Sequence, residues 1–381
     1  ATLAMAAKAR ELKQEGRDII GLSLGEPDFN VPDFIKEAAK KAIDENWSSY
    51  SPVDGYVELK KAIAAKFQRD NNLTYGLDQI VVSTGAKQSL YNVAMAMIQQ
   101  GDEVILPAPY WVSYSDIVQL AEGVPVEVPT SLETDFKMTA QQLEAAITPK
   151  TKMLWFSSPC NPSGSVYSQQ ELESLAEVLR KHPGIFVVSD EIYEHINFTG
   201  QHVSIAAIEG MYDRTITVNG VSKAFAMTGW RIGYIGAPAW IAKATNKLQG
   251  QVTSGANSIA QRATIAALEA PKSSIQYMID EFHKRRDLIL GLMAEIPGFK
   301  LNVPEGAFYV FPDVSDYFGK TIQGVKIENA NDFALFLLDK ANVATVTGEA
   351  FGNNDCIRIS YAASESEIKE AMSRIKAAVL A

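Results

Sequence analysis

The stretch that decides the fold is Thr215–Gly236, which reads TITVNGVSKAFAMTGWRIGYIG. Its two ends, Thr215–Val218 and Ile232–Gly236, are short apolar runs of the kind that form buried strands. Between them Lys223 is flanked by small residues, and Arg231 follows eight positions later. Small residues let a backbone approach a phosphate, and an arginine can bind that phosphate through its planar fork. The segment therefore offers an amine suited to a Schiff base and a phosphate clamp, although such a lysine also suits an ordinary loop.

Similar apolar runs alternate with amphipathic segments along much of the chain. Strands are predicted at 79–83, 103–107, 153–157, 185–189, 215–218 and 232–236. Helices are predicted from about residue 85, near residue 111 and from residue 168. This alternation favours an α/β fold with a mostly parallel sheet that helices cover on both faces. Ligands of such sheets bind beyond the carboxyl ends of the strands, where Asn161, Asp190 and Lys223 would lie.

A second, smaller domain is predicted because the pattern changes after a long charged helix at 277–293. Shorter strands and helices follow, among them a strand at Cys356–Ser360 and a last helix at Glu365–Val379. The predicted division is a large domain at 29–290 and a discontinuous small α+β domain at 1–28 and 291–381. Helical periodicity starts almost at Ala1, which is not a methionine, so that an N-terminal arm is expected before it.

The composition restricts the class of protein. The 381 residues are 47% hydrophobic and 21% charged, which is ordinary for a protein of two domains. A net charge of −10 argues against nucleic acid as a partner, because binding phosphate backbones needs a basic surface. The two cysteines exclude a disulfide framework and favour a cytoplasmic location. Neither a membrane-spanning run of about 18 apolar residues nor a signal peptide is present, and the four histidines lack metal-ligand spacing.

Other segments place polar groups at predicted strand ends. Ile185–Asp190 is an apolar run that ends in a carboxylate, which needs a cationic partner if it is buried and is otherwise a helix cap. The residues STGAKQ at 83–88 lead from a strand into a helix, whose free N–H groups and dipole attract an anion. Arg358 lies on an alternating strand and calls for a carboxylate partner. Three further motifs are LGEPD at 24–28, PYW at 109–111 and SPCNPSG at 158–164.

From Gly25 to Arg358, these motifs and their order resemble the class I aminotransferases of the fold-type-I pyridoxal-phosphate enzymes. The resemblance is greatest to the bacterial aspartate aminotransferase branch. It implies a large domain with a seven-stranded type of sheet, and a homodimer whose active sites are shared between subunits. It also implies ping-pong transfer of the amino group from L-aspartate to 2-oxoglutarate, which releases oxaloacetate and glutamate.

The resemblance assigns roles around the ring of pyridoxal 5'-phosphate. Lys223 would form the Schiff base and move a proton from the substrate α-carbon to the cofactor's C4′. Asp190 would keep the pyridine nitrogen protonated. Tyr193 and Asn161 would bind the phenolic oxygen, unless they are a structural tyrosine and part of an Asn-Pro turn. Trp111 would stack on the ring, unless it is a core tryptophan.

The resemblance also implies contacts to the phosphate and the substrate. The phosphate would be held by Gly85, Ala86, Ser222, Arg231 and, from a second subunit, Tyr50. Arg358 would bind the substrate α-carboxylate, helped by the backbone N–H of Gly25, with Trp111 and Asn161 beside the substrate. The sequence departs from the commoner pattern at Cys160, Ser163 and Gly220. Because relatives often have a serine in place of Gly220, one phosphate contact is expected to be absent.

Lys87 is placed in the first turn of a predicted helix, where the helix dipole disfavours a cation. An anionic neighbour is therefore expected there. In the aspartate-specific branch a lysine in this context is associated with the distal carboxylate of the substrate. Lys87 is accordingly predicted to lie beside the cofactor and to bind that carboxylate.

The sequence leaves other functions open. Prephenate, aromatic and alanine aminotransferases share every catalytic residue named above, and elimination chemistry of the aminocyclopropanecarboxylate-synthase type uses the same scaffold. A nicotinamide oxidoreductase is disfavoured because no Gly-x-Gly-x-x-Gly follows a predicted strand. A non-catalytic regulator on this fold is disfavoured because neither a basic helix nor spare length for a DNA-binding segment is present.

Overall fold

The protein is described by a computed structural model that covers residues 2–381. The strands are β1 (Ile20–Gly21), β2 (Ile80–Ser83), β3 (Glu103–Ala108), β4 (Val124–Pro129), β5 (Thr151–Ser157), β6 (Phe186–Asp190), β7 (Thr215–Gly220), β8 (Gly233–Gly236), β9 (Tyr309–Val310), β10 (Thr321–Ile322), β11 (Val325–Lys326), β12 (Val343–Ala344), β13 (Val346–Thr347) and β14 (Ile357–Ser360). The α-helices are α1 (Thr2–Gln14), α2 (Asp33–Asp44), α3 (Val57–Asn71), α4 (Ala86–Met97), α5 (Ser113–Leu120), α6 (Ala140–Ala146), α7 (Gln169–Lys181), α8 (Ala239–Val252), α9 (Ser258–Glu269), α10 (Gln276–Met293), α11 (Ala330–Phe336) and α12 (Glu365–Leu380). No helix among these residues is both long and apolar enough to cross a membrane.

A seven-stranded sheet forms the centre of the fold, with the strand order β2-β8-β7-β6-β5-β3-β4. All neighbouring strands are parallel except β8, which runs antiparallel to β2 and β7. The predicted mostly parallel sheet is therefore confirmed, and each of its six predicted strands is present. The seventh strand, β4 at one edge of the sheet, was not predicted from the sequence. It is half-exposed and contains two prolines, a composition that an edge strand tolerates well.

Helices cover both faces of this sheet, as predicted. Successive side chains of a strand point to opposite faces. In β2, Val82 packs in a core with α3 and α9, while Val81 packs in a separate core with α4, α5 and α8. At the other end of the sheet, Leu154 of β5 packs against α7, and Trp155 packs on the opposite face. The strands are consequently buried on both sides, which explains their continuous apolar runs.

A second set of elements forms a smaller core. The antiparallel sheet β13-β14-β9 carries Arg358, and β1 pairs in parallel with β12, which brings the segment before Pro27 to this core. Helices α10, α11 and α12 supply much of its apolar packing. The core also includes Phe282 and Ile289 of α10, a helix that crosses residue 290. The division at 28/29 and 290/291 stays a prediction.

Candidate active site

The carboxyl ends of β5, β6 and β7 lie side by side at one edge of the central sheet, because these three strands are parallel neighbours. Asn161 follows β5, Asp190 is the last residue of β6, and Lys223 follows β7. The predicted placement of these three residues at the strand ends is thus confirmed. This edge is where an open α/β sheet binds its ligands.

Asp190 is buried, and both groups that contact its carboxylate are neutral. The Tyr114 hydroxyl donates to it at 2.7 Å, and the backbone N–H of Ile192 donates at 3.2 Å. Burial raises the pKa of Asp190 to about 6, and the two hydrogen bonds only partly oppose this rise. A buried carboxylate that lacks a cationic contact is suited to a ligand that brings a positive charge.

Lys223 is held at the site by the segment that follows β1. Its Nζ donates a hydrogen bond to the carbonyl oxygen of Gly25 at 2.6 Å. Burial, and next the positive charge of Arg358, lowers the pKa of Lys223 to about 8. A much larger fraction of this amine is therefore neutral near pH 7 than for an exposed lysine, as a nucleophilic amine requires.

Arg358 is fully buried on β14, and its contacts are neutral. Its Nη1 donates to Asn161 Oδ1 at 2.9 Å and its Nη2 donates to the Ser23 carbonyl at 2.6 Å. The buried Nε has no hydrogen-bond partner among the described residues. The guanidinium lies 4.6 Å from the ring centroid of Tyr309 and 5.0 Å from that of Phe351. A buried cation in such surroundings is suited to an anionic ligand.

The start of α4 and the Arg231 side chain meet as a cradle. Gly85 caps the helix with φ +84°, and a Cβ at this position would clash with the Arg231 guanidinium. A Cβ on Gly233 of β8 would likewise clash with the backbone of Gly85 and Ala86. These glycines therefore let the guanidinium and the free N–H groups of the first turn lie together, as an anion site needs.

Gly220 lies where β7 and β8 come close to each other. A Cβ at this position would lie 2.8 Å from the Ile232 carbonyl oxygen and 3.1 Å from the Gly233 Cα. β7 and β8 approach each other too closely for a side chain. The buried hydroxyl of Ser222, nearer to Lys223, remains as a candidate phosphate contact.

Two aromatic side chains of the smaller core lie beside Lys223. The hydroxyl oxygens of Tyr193 and Tyr309 lie 2.7 Å apart, and the Lys223 Nζ lies 5.9 Å from the Tyr193 ring centroid. Tyr309 also approaches Gly25, where an added Cβ would clash with its hydroxyl. Tyr309 was not predicted, because one aromatic residue on a two-residue strand carries no recognisable signal.

Lys87 and Trp111 lie together, since the Lys87 Nζ is 4.9 Å from a Trp111 ring centroid. Burial, and next the charge of Arg231, lowers the pKa of Lys87. Tyr50 differs from the other predicted site residues, because its side chain is 98% exposed and the single chain does not place it in the site.

Known proteins resemble this chain along nearly its whole length. The family model for aminotransferase class I and II matches residues 17–375. The chain belongs to this family. An aspartate/prephenate aminotransferase of Cereibacter sphaeroides is 50% identical over 379 residues, which are 99% of this chain and 95% of that relative. A Rhizobium meliloti aspartate aminotransferase is 48% identical over 379 residues, which are 99% of this chain and 92% of that relative.

Solved structures show the same fold. The crystal structure of the Rhizobium meliloti aspartate aminotransferase superposes with a TM-score of 0.96 at 48% identity, with 99% of this chain and 95% of that chain covered. The Thermus thermophilus aspartate aminotransferase with maleate has a TM-score of 0.93 at 40% identity, with 99% and 96% covered. The predicted fold type I is therefore confirmed, and the enzyme is an aminotransferase that depends on pyridoxal phosphate.

The residues of the site fit this cofactor. The Asp190 carboxylate, buried between neutral donors, suits a protonated ring nitrogen. The cradle of Gly85, Ala86 and Arg231 suits a phosphate. The amine of Lys223, whose pKa is lowered to about 8, suits an aldehyde carbon. The fold thus provides complementary groups for the three functional parts of the cofactor.

The pKa of Asp190 predicts an effect in the cofactor-free protein. Its folded-state value of about 6 exceeds the ordinary 3.8, so that its stabilising contribution is present below pH 3.8 and lost as the pH rises through 6. We expect Asp190→Asn to raise the free energy of unfolding of the cofactor-free protein by about 2 to 3 kcal/mol at pH 8. We expect little difference at pH 4, as measured by denaturant unfolding.

The matched control for this comparison is Asp213→Asn, which changes an exposed carboxylate. It should leave stability nearly unchanged at both pH values. A wild-type protein that is more stable than Asp190→Asn at pH 8 would show that the Asp190 carboxylate is already neutralised without the cofactor.

Proposed function

We propose that the enzyme is an aspartate aminotransferase, which transfers the amino group of L-aspartate to 2-oxoglutarate and releases oxaloacetate and glutamate. The observation that carries this proposal is the presence of two cations at the site, Arg358 and Lys87, whose contacts are one backbone carbonyl, one side-chain amide and aromatic rings. A dicarboxylic acid supplies one carboxylate for each cation. The names of the two relatives described above support this choice.

Each cation has a distinct part in this proposal. Arg358 would bind the α-carboxylate through its guanidinium fork, and its orphaned Nε is a donor available for that purpose. Lys87 would bind the distal carboxylate, since its ammonium lies over the Trp111 ring and close to the positive charge of Arg231. The backbone N–H of Gly25 would assist Arg358.

The proposed chemistry uses a small number of groups. When bound, pyridoxal phosphate supplies an aldehyde carbon and an electron-withdrawing ring. Asp190 would hold a proton on the ring nitrogen, and Lys223 would take the proton from the α-carbon of the amino acid. With a pKa of about 8, this lysine can act as a base near neutral pH. A second oxo acid would complete the ping-pong cycle by the reverse steps.

The remaining site residues would position the cofactor. The proposed phosphate contacts are Gly85, Ala86, Ser222, Arg231 and the Tyr50 of a second subunit. Trp111 would stack on the ring, and Tyr193 and Asn161 would donate to the phenolic oxygen. Asn161 accepts from Arg358 through Oδ1, which leaves its Nδ2 hydrogens for that oxygen.

The first test follows the visible absorption of the purified protein with bound pyridoxal phosphate. We expect L-aspartate to bleach the band of the wild type and to leave Lys223→Ala unchanged, because the substrate amine must displace the lysine amine. Formation of oxaloacetate and glutamate should be measured in the same samples. Bleaching by a neutral or aromatic amino acid but not by aspartate would contradict the proposed substrate.

Lys87→Met tests recognition of the distal carboxylate. We expect kcat/KM for aspartate to fall about 10- to 100-fold, the effect of losing one charge-assisted hydrogen bond, while kcat/KM for alanine stays nearly unchanged. Steady-state kinetics with both amino acids measures the difference. Lys243→Met, which removes an exposed lysine of α8, is the matched control. Equal losses with aspartate and alanine would contradict the assigned role.

Prephenate is the second candidate substrate. The Cereibacter sphaeroides relative is named an aspartate/prephenate aminotransferase, and prephenate also carries a second carboxylate. Arg358 and Lys87 offer one cation to each of its carboxylates. Amino-group transfer from aspartate to prephenate, compared with transfer to 2-oxoglutarate, decides between a narrow and a dual acceptor range.

We also propose a homodimer with shared active sites. Tyr50 supports the dimer, because its ring is exposed while the residues that follow it are held by hydrogen bonds. Ser51 donates to the Ala256 carbonyl at 3.2 Å, and the Val53 carbonyl accepts from Gln249 at 2.7 Å. An aromatic ring held out from an anchored segment is suited to a partner surface. A reducing, cytoplasmic location is proposed as well, since Cys160 and Cys356 are both buried and unpaired.

Complementation tests the shared site. Tyr50→Ala and Lys223→Ala would each impair every site of their own dimers. In a mixed dimer, one site would combine an intact Lys223 with an intact Tyr50. We expect coexpression of the two variants to restore activity at limiting cofactor, and sedimentation to show a dimer. A monomer with full wild-type activity would overturn the proposal.

A further inference from the structure

The turn that follows Asp190 contains Tyr193 and also Glu194, which forms a buried ion pair. Glu194 is 3% exposed and contacts the ammonium of Lys66, which is 0% exposed. Burial opposes ionisation of Glu194, but the charges of Lys66 and two nearby histidines hold its pKa well below its ordinary range. Neither side chain has a role in the chemistry proposed above.

The Glu194 carboxylate joins three elements of the fold. It accepts hydrogen bonds from Asn71 Nδ2 of α3 at 2.6 Å and from Asn219 Nδ2 of β7 at 2.9 Å. Lys66 of α3 in turn donates to Asn71 Oδ1 at 2.7 Å. The turn after β6 is thereby tied both to α3 and to the end of β7.

Asn219 extends this connection toward the reactive amine. Its Oδ1 accepts the backbone N–H of Gly220 at 2.7 Å while its Nδ2 donates to Glu194. Gly220 starts the short path to Lys223, which lies three residues later. One carboxylate therefore connects the segment that carries Asp190 to the segment that carries Lys223.

The beginning of the same turn is also held by buried polar contacts. Glu191 accepts hydrogen bonds from Ser189 Oγ at 2.9 Å and from Ser204 Oγ at 2.6 Å, and His202 Nε2 lies 3.0 Å from its carboxylate. Burial lowers and the charge of Glu191 raises the pKa of His202, with a net rise. Both ends of the turn are thus fixed from within the protein.

The carboxylates and histidines of this region could be mistaken for a metal site. Donor atoms of Asp70, Glu194 and His195 lie within 4.8 Å of one another, and so do those of Glu191, Glu194 and His202. The ammonium of Lys66 is already in contact with Glu194, the member that both groups share. The lysine therefore supplies the cation that Glu194 faces.

We propose that Glu194 is a positioning residue for transamination, which acts through Asn219 and Lys66 to keep Lys223 in a fixed place relative to Asp190. The inference rests on the proposed function, because that function requires both groups to act on one bound cofactor. A buried ion pair is often no more stabilising than an apolar pair of the same size. Its position between two site-bearing segments is therefore better explained by the geometry that it imposes.

The decisive variant is Asn219→Ala, which removes the connection to Lys223 and keeps the Lys66–Glu194 ion pair. We expect kcat for aspartate to fall about 10- to 100-fold, since small misplacements of a reacting group have effects of this size. KM should change little because Arg358 and Lys87 are untouched. We also expect a shift in the pH at which the bound cofactor changes colour, and weaker binding of pyridoxal phosphate to the cofactor-free variant.

Two further variants complete the experiment. Glu194→Gln should give the same changes with a larger effect, because it also leaves the Lys66 charge unpaired. Leu179→Ala is the control: it removes packing in the core between β5 and α7, and should lower the melting temperature without changing kcat or the colour change. If Glu194→Gln does not fold, Asn219→Ala still decides the question.

The outcomes separate the inference from the proposed function. If Asn219→Ala behaves like Leu179→Ala, with lower stability but wild-type kcat, colour change and cofactor affinity, the network is only structural and the inference is wrong. If the wild type itself fails to transfer the amino group of aspartate, the proposed substrate is wrong. In that case the pH of the colour change and the cofactor affinity still decide the role of Glu194.

Discussion

The carboxylate of Asp190, buried at the end of a central strand between two neutral donors, is the constraint that organises this site. β6 lies between the parallel strands β5 and β7, so that the segments after all three strands emerge at one edge of the sheet. A carboxylate in this place is unfavourable without a cation, and burial accordingly raises its pKa to about 6. Extensive apolar cores on both faces of the sheet offset the free-energy cost of burying this carboxylate.

The smaller core contributes the opposite charge. Arg358 is carried on β14, and Gly25, which accepts from Lys223, belongs to the segment that follows β1. The contacts of Asp190 and Arg358 are with neutral groups, so that these buried charges remain available to ligands. This contrasts with Glu194 and Lys66, which neutralise each other. Charges are satisfied where they hold the scaffold and left unsatisfied where a cofactor or substrate binds.

Much of the central sheet could be predicted because parallel strands buried on both faces are continuous apolar runs. The strand β4 could not, since its exposed positions and prolines resemble a loop. The strands β9 to β13 have only two residues each, which is too short to show any periodicity. The pairing of β9, β12 and β13 depends on contacts between residues that are distant in sequence. Tyr309 and Glu194 were missed for a related reason, because each acquires its role only from partners in other elements.

The sequence by itself determined the cofactor-binding motifs, the strands that carry them and the family. These features depend on residue types at short spacings, such as Lys223 with Arg231, and local chemistry suffices to recognise them. Only the tertiary structure decided which charges remain without a counter-charge, where Tyr309 meets Tyr193, and how Glu194 joins two site-bearing segments. The physical reason is that burial and pairing, which set the pKa of a side chain, arise from groups that the chain brings together only when it folds.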